Sequence, residues 1–206
     1  MTVAALYVYD DERGSYYGVP GVDLWGEERD ARLYAGPHPV VAHPPCSRWC
    51  QLAAVNEKRY GQKRGDDGGC FAHALSCVRR FGGVLEHPAL SLAWSRFDLP
   101  RPSPSGGWQR GMCGGWSCHV EQGQYGHAAR KATWLYAFGV KLHDMRWGKA
   151  QDCDAIVSWC RNHNSAAMEG KRRIGKRAAS HTPEEFRDAL LAIARSARPN
   201  PGDFAV

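Results

Sequence analysis

The chain has 206 residues, of which 43% are hydrophobic and 23% charged, and this balance is that of a globular protein rather than a disordered or fibrous one. Its 27 Lys and Arg residues outnumber its 21 Asp and Glu residues, and the net charge of +6 is compatible with a nucleic-acid partner. No apolar run approaches the roughly 20 residues that span a bilayer, so we expect no membrane partner.

The start of the chain and its cysteine content indicate the cytoplasm. Residues 1–7 contain no basic region and lead directly into acidic residues, unlike a signal peptide. Eight cysteines without an export signal argue against a disulfide framework, because thiols stay reduced in the cytoplasm. Each thiol is therefore expected to be a core residue, a metal ligand or a nucleophile.

Hydrophobic periodicity predicts alternating strands and helices. In chain order we expect a strand over residues 2–9, a glycine-rich loop, a strand over 39–43, a helix from 47 toward 60 and a helix over 71–81. A strand over 84–86, a short helix over 87–94, a loop over 98–115 and strands over 116–122 and 132–140 follow. A helix over 152–162 and a final helix over 186–197, introduced by Thr182-Pro183-Glu184-Glu185, complete the chain.

The order of strands and helices predicts βαβ units and hence an α/β fold, specifically a Rossmann-like three-layer domain with a mostly parallel sheet. We expect residues 1–140 to form this core, and residues 141–206 to form a basic extension that packs its final helix back on the core. Ligands of such sheets bind at the carboxyl ends of strands. The two most informative motifs, Pro44-Pro45-Cys46 and Glu86-His87-Pro88, lie at the ends of predicted strands.

Cys46 is the candidate nucleophile. Two prolines precede it and fix the thiol just past a strand end, as a nucleophile requires. Nearby positive charge favours the thiolate form, and Arg48 lies two residues further along the chain. A partly buried thiol in a tight loop, without a chemical role, is the alternative interpretation.

Glu86 is the candidate acid. A carboxyl group at the end of an apolar strand is expected to have a raised pKa, so that it holds or donates a proton near neutral pH. The alternative is a glutamate that only caps the following helix. Further along, residues 124–139 form a basic turn before an apolar strand, in which Arg130 and Lys131 either bind an anion or a base edge or are solvated.

In this order, the three segments resemble the catalytic half of the cytosine-C5 DNA methyltransferases. That family has a Pro-Cys loop after a strand, a Glu-Asn dipeptide at the end of the next strand, and a basic turn with Tyr-Gly before a strand that ends in Gly. The counterparts here are residues 40–46, 84–88 and 125–139, and the resemblance spans residues 38–140.

The resemblance implies that Cys46 adds to C6 of a pyrimidine and that Glu86 hydrogen-bonds N3 of the base and stabilises the adduct. Lys131 falls where the family has an arginine that contacts the base. The residues expected to line the substrate site beside it are Pro45, Arg48, His87 and Arg130. The implied substrate is DNA, either single-stranded or with a flipped base, or a free pyrimidine nucleotide.

The cofactor loop and the recognition region depart from the family pattern. The Phe-x-Gly-x-Gly loop that binds S-adenosylmethionine has no counterpart after the first strand, and Asp23 is the residue left to hold a ribose. His87 stands where the family has Asn. The segment after Gly139 is too short for the usual target-recognition region, so we expect little sequence-specific readout of DNA. So compact a form is typical of a small replicon such as a phage.

Other functions stay open beside this one. A degenerate methyltransferase-like domain without activity would bind nucleic acid through a basic cluster made of Arg161, Lys171, Arg172, Arg173, Lys176 and Arg177. An enzyme that keeps the thiol addition but uses another electrophile, as in other modification of pyrimidines at C5, is a third alternative. A zinc-binding protein is a further alternative, but zinc is disfavoured because the spacing of its ligands is not that of a standard zinc finger. Those ligands would be Cys113, Cys118, Cys160 and His163.

Overall fold

A seven-stranded sheet forms the centre of the computed structural model, which describes residues 1–157 and 170–198. Its strands are β1 (Val3–Leu6), β2 (Val22–Trp25), β3 (Val40–Ala42), β4 (Gly83–Pro88), β5 (Gln109–Arg110), β6 (Trp116–Glu121) and β7 (Ala132–Phe138). They lie in the order β2-β1-β3-β4-β7-β6-β5. The first four strands pair in parallel, whereas β7, β6 and β5 are added by antiparallel pairing. The α/β class is therefore confirmed, with a mixed sheet that is parallel in one half.

The described helices are α1 (Ala53–Tyr60), α2 (Cys70–Phe81), α3 (Leu92–Arg96), α4 (Lys176–Ser180) and α5 (Glu184–Arg195), with single 3-10 turns at Ala31–Leu33 and Gln122–Tyr125. A second, two-stranded parallel sheet pairs β8 (Ala155–Val157) with β9 (Arg172–Ile174). None of the helices in the described ranges has the length and apolar character needed to cross a membrane.

Helices cover both faces of the large sheet. Successive residues of a strand point to opposite faces, so each buried strand supplies side chains to two hydrophobic clusters. On one face, Ala4, Leu6 and Leu85 pack with residues of α2, among them Phe71, Ala74 and Val78. On the other face, Val3, Ala5 and Val84 pack with residues of α5, among them Phe186, Leu190 and Ile193. The sheet therefore has few solvent-facing side chains in its parallel half.

Gly83 lets β4 lie close beside β3. Its φ is +137°, and a Cβ atom there would lie 1.9 Å from the carbonyl oxygen of Val40. Because Val40 pairs with Gly83, the register continues to Ala42 and Leu85. The next residues along the two strands, His43 and Glu86, therefore emerge side by side at the carboxyl edge.

The prediction of a short helix over residues 87–94 is wrong for the first part of this range. β4 continues through Pro88, because this residue pairs with Thr133 of β7, and α3 begins only at Leu92. Ser91 caps that helix by accepting the backbone N–H of Ala93. The backbone pairing with β7, which is remote in sequence, extends the strand beyond its apolar residues.

Two other expected helices also differ. The helix expected from residue 47 begins at Ala53, and residues 47–52 form turns. The helix expected over residues 152–162 is wrong for its described part, where residues 155–157 form β8. The N–H of Ala155 donates to the carbonyl of Ala128 and its strand pairs with β9, so tertiary contacts override the local pattern. Residues 158–162 lie outside the described residues.

Candidate active site

Cys46 begins a tight turn directly after β3. The N–H groups of Trp49 and Cys50 both donate to the Cys46 carbonyl, at 3.0 and 2.9 Å. The Trp49 ring is buried and its indole N–H donates to Asp67 at 2.7 Å, which anchors the turn against the start of α2. The Cys46 thiol is half-buried and Pro45 beside it is exposed. The turn thus holds the thiol in a fixed place near the surface.

Glu86 is held by two side chains that use both of its oxygens. His43 Nδ1 lies 3.0 Å from Glu86 Oε2, and Gln122 Nε2 donates to Glu86 Oε1 at 3.1 Å. Only 9% of the Glu86 surface is exposed. The carboxylate is therefore largely shielded from solvent, and its two partners come from separate segments of the chain.

The expected rise in the pKa of Glu86 is wrong. Burial alone would raise this pKa, but the hydrogen bond and positive charge of His43, together with the charge of Lys131, lower it to about 2. A carboxylate that accepts hydrogen bonds from a charged neighbour is stabilised in its ionised form. Glu86 is therefore ionised at neutral pH, and a proton for chemistry has to come from a neighbour.

Cys46 is protonated at rest. The pKa of its thiol is raised to about 11, chiefly by burial and also by the charges of Cys50 and Glu86, against the charge of Lys131, which lowers it. Burial lowers the pKa of Lys131, and the charges of Glu86 and Cys46 offset part of this effect. Thiol, carboxylate and amine thus act on one another, and the amine is the cation that favours the thiolate.

Lys131 links the site to the C-terminal part of the chain. Its Nζ atom donates to the backbone carbonyls of Ser180 and His181, at 3.2 and 2.7 Å, at the end of α4. His127, in the same turn as Lys131, lies 3.2 Å from the Ala178 carbonyl through its Nε2 atom. The residues around α4 therefore fix the position of the amine.

The other residues expected to bind substrate lie in different surroundings. The guanidinium of Arg130 is bound to the carboxylate of Glu121, which is 3% exposed. His87 has no exposed surface, and its ring packs edge-on against Phe71 with 5.2 Å between ring centroids. Burial lowers the pKa of His87 to about 4, so this imidazole is neutral. Arg48 is half-buried, and its Nη1 atom has no partner among the described residues.

Sequence reasoning missed four residues that surround Glu86. Tyr16 is 2% exposed and its hydroxyl lies 2.9 Å from His43 Nε2. Gln122 is fully buried, and its Nε2 atom donates to Thr133 Oγ1 at 3.0 Å as well as to Glu86. His43 directly precedes the Pro-Pro-Cys motif and Thr133 lies in the segment 125–139, and these two positions were the available signals. Tyr16 and Gln122 come from parts of the sequence that no motif connects to the site.

Asp23 does not offer a free carboxylate for a ribose. Its two oxygens accept from Trp25 Nε1 and Arg29 Nη1, both at 2.7 Å, and Arg29 also lies over the Trp25 ring. The residue stands in the middle of β2 rather than at its end. These contacts do not fit the binding of S-adenosylmethionine through Asp23.

The suggested zinc ligands are not brought together in the described part of the chain. Cys113 is exposed and lies 3.6 Å from the hydroxyl of Tyr136, whereas Cys118 is fully buried in the cluster on the α5 side of the sheet. Cys160 and His163 lie outside the described residues. Among residues 1–157 and 170–198, no three His, Cys, Asp or Glu side chains form a group that would hold a metal ion, and the seven cysteines there are free thiols.

Comparison of the chain with protein-family models, with curated proteins and with solved structures finds no match. The chemistry of the site therefore has to be argued from its own residues.

Proposed function

We propose that the protein modifies a pyrimidine at C5 through nucleophilic addition of Cys46 to C6 of the ring. The observation that carries this proposal is the placement of Cys46 after β3, of Glu86 in the neighbouring parallel strand β4 and of Lys131 directly before β7, where the three groups act electrostatically on one another. A thiol, an acidic group and a cation are the groups that conjugate addition to a pyrimidine needs. The resemblance to cytosine-C5 DNA methyltransferases supports the same three residues.

The resting state of the site is consistent with a nucleophile that is activated only when substrate binds. The half-buried thiol of Cys46, with a pKa of about 11, is a poor nucleophile at neutral pH. The amine of Lys131 is the group that lowers this pKa, so removal of water by a bound base would strengthen its effect on the thiolate. Reduced thiols of this kind suit a cytoplasmic enzyme.

Hydrogen exchange at C5 tests the proposal without a methyl donor. Addition of the thiolate to C6 makes C5 nucleophilic, so that in D₂O it takes a deuteron, loses its original hydrogen and regains its double bond when the thiolate leaves. Single-stranded oligonucleotides and free deoxycytidine and deoxyuridine nucleotides are incubated with the protein in D₂O. Mass spectrometry of the recovered base then shows the mass increase expected when one hydrogen is replaced by deuterium.

We expect exchange by the wild-type protein, none by Cys46→Ala, and unchanged exchange by Cys70→Ala, which removes a half-buried thiol at the start of α2. Circular dichroism controls for the fold of each variant. Exchange that is absent from the wild type with every substrate, or that survives in Cys46→Ala, contradicts the proposal. The comparison of substrates also shows whether the base must belong to a DNA strand.

A nucleic-acid-binding protein without activity is the second candidate. The observation that favours it is the exposed basic surface of β9 and α4, in which Arg173, Lys176 and Arg177 are exposed and form no salt bridge within the described ranges. Phosphate contacts alone provide affinity that falls steeply with salt. Salt-sensitive binding of oligonucleotides together with no C5 exchange would favour this second function.

A further inference from the structure

The proposed reaction needs a proton that Glu86 does not hold. When a thiolate adds to C6 of cytosine, the S–C6 bond forms and the C5=C6 double bond is replaced by C4=C5. The electron pair of the N3=C4 bond moves to N3, which then requires a proton. Because Glu86 is ionised and accepts hydrogen bonds at both oxygens, the proton for N3 has to come from a group bonded to it.

We propose that His43 stores this proton and that Glu86 passes it between His43 and N3 of the pyrimidine. The inference rests on the proposed function and assigns its proton donor. His43 is in this scheme a positioning and proton-storing residue, because it acts through Glu86. The proton moves from His43 Nδ1 to Glu86 Oε2 and then to N3, and it returns by the same path when the thiolate leaves C6.

The geometry around His43 suits both of its protonation states. Glu86 is an acceptor, so Nδ1 of the imidazolium donates its hydrogen to Oε2, 3.0 Å away. When that proton has passed to Glu86, the neutral ring keeps its other hydrogen on Nε2, and this atom donates to the hydroxyl oxygen of Tyr16, 2.9 Å away, both before and after the transfer. The ring therefore gives up its Nδ1 proton and takes it back while the hydrogen bond to Tyr16 stays in place.

Gln122 directs the proton to one oxygen of Glu86. Its Nε2 atom donates to Glu86 Oε1 and to Thr133 Oγ1, and Thr133 donates in turn to the Lys131 carbonyl. An oxygen that accepts from an amide is kept unprotonated, so a proton on the carboxyl group resides on Oε2, the oxygen that faces His43. The Oε1 atom of Gln122 is buried and has no partner among the described residues, which leaves it available to a donor on the substrate.

The other charged groups around His43 do not replace it as the proton source. His87, on the same strand as Glu86, is neutral and fully buried. Tyr16 lies behind His43, and burial together with the charge of Glu86 raises its pKa well above the ordinary value, so it stays neutral. The remaining titratable or charged groups are Cys46, Lys131, and the Arg187 and Asp188 side chains of α5 behind Tyr16.

The pH dependence of C5 exchange tests the inference. The wild-type rate is expected to rise with pH as the thiolate forms and to fall again as the His43–Glu86 pair loses its proton, which gives a bell-shaped profile. In His43→Gln we expect a rate at least tenfold lower at neutral pH and a profile without the descending limb. His143→Gln, which changes a half-buried histidine elsewhere, is the matched control and keeps the bell shape.

Tyr16→Phe provides a second variant in case His43→Gln does not fold. The hydrogen bond between the Tyr16 hydroxyl and the His43 imidazolium is charge-assisted and stronger than the bond to the neutral ring. Removal of the hydroxyl is therefore expected to move the descending limb of the pH profile to lower pH. A descending limb that persists in His43→Gln, or that keeps its position in Tyr16→Phe, overturns the inference while the proposed function stands. Absence of exchange in the wild type overturns the proposed function itself, and the inference with it.

Discussion

Replacement of Glu86 by Gln should change the acid stability of the protein by a predictable amount. The fold lowers the pKa of Glu86 from the ordinary value of 4.5 to about 2. Burial raises this pKa, but the hydrogen bond and the charge of His43 are the main causes that lower it. At about 1.4 kcal/mol for each pKa unit, this difference contributes about 3 kcal/mol to the free energy of unfolding. Because only 9% of Glu86 is exposed, solvent screening leaves most of this contribution in place.

The sign follows from the lowered pKa. The ionised carboxylate stabilises the folded state fully at pH values above about 4.5, and this stabilisation is lost as the pH falls toward 2. At pH 3, about 2 kcal/mol of it should be gone. A glutamine does not titrate, so the free energy of unfolding of Glu86→Gln lacks this component of the pH dependence.

Urea unfolding followed by tryptophan fluorescence at pH 7, 5 and 3 measures the effect. The difference in unfolding free energy between wild type and Glu86→Gln should be nearly constant from pH 7 to pH 5 and should shrink by about 2 kcal/mol at pH 3. Glu12→Gln, at an exposed position, serves as the control and should show no such change. A difference that is the same at pH 7 and pH 3 would refute the assignment of His43 and Glu86 as a charged pair.

Three further predictions concern the fold and the thiols. Gly83→Ala should lower the free energy of unfolding by about 3 kcal/mol or more, because the new Cβ atom would lie 1.9 Å from a backbone oxygen. Gly61→Ala, at a φ of +63° with open space around it, should lower it by only about 1 kcal/mol, and thermal unfolding compares the two variants. Asp67→Ala should cost about 1–2 kcal/mol in urea unfolding, because its carboxylate accepts two N–H groups at the start of α2 and the indole N–H of a buried tryptophan. Alkylation followed by peptide mass spectrometry should label Cys113 before Cys46 at pH 7, because Tyr136 and Arg79 help to lower the pKa of Cys113 against the effect of burial. The labelling rate of Cys46 should rise with pH up to about 11. Faster labelling of Cys46 than of Cys113 at pH 7 contradicts this order.

The sequence predicted three of the four parallel strands, because local signals there agree with the tertiary structure, whereas β2 lies in the region expected to be a glycine-rich loop. β1, β3 and β4 are short apolar segments, glycine or proline adjoins β3 and β4, and α2 has one continuous apolar face. The same signals place Cys46 after β3, whereas Glu86, which was expected to close its strand, is followed by two more residues of β4. The antiparallel pairing of β7 with β4 has no local signature, and it is this pairing that extends β4 to Pro88.

The protonation state of Glu86 was beyond sequence reasoning for a physical reason. Burial, which the apolar strand predicts, raises the pKa of a carboxyl group, and the sequence gives no distance to a compensating charge. The compensating ring of His43 faces Glu86 only because the register of β3 and β4 places the two residues side by side. Gln122 lies 36 residues from Glu86 along the chain, so its amide is invisible to any local motif.

The attachment of Lys131 to the carbonyl groups at the end of α4 makes the reactivity of Cys46 depend on a distant stretch of polypeptide. A truncation or tag that displaces α4 would free the amine to move away from the thiol. Cys46 would then become harder to ionise, although no atom near it had been replaced. Shortened versions made for crystallisation should therefore keep α4, and a loss of thiol reactivity in any of them would report on the position of that helix before it reported on the turn around Cys46.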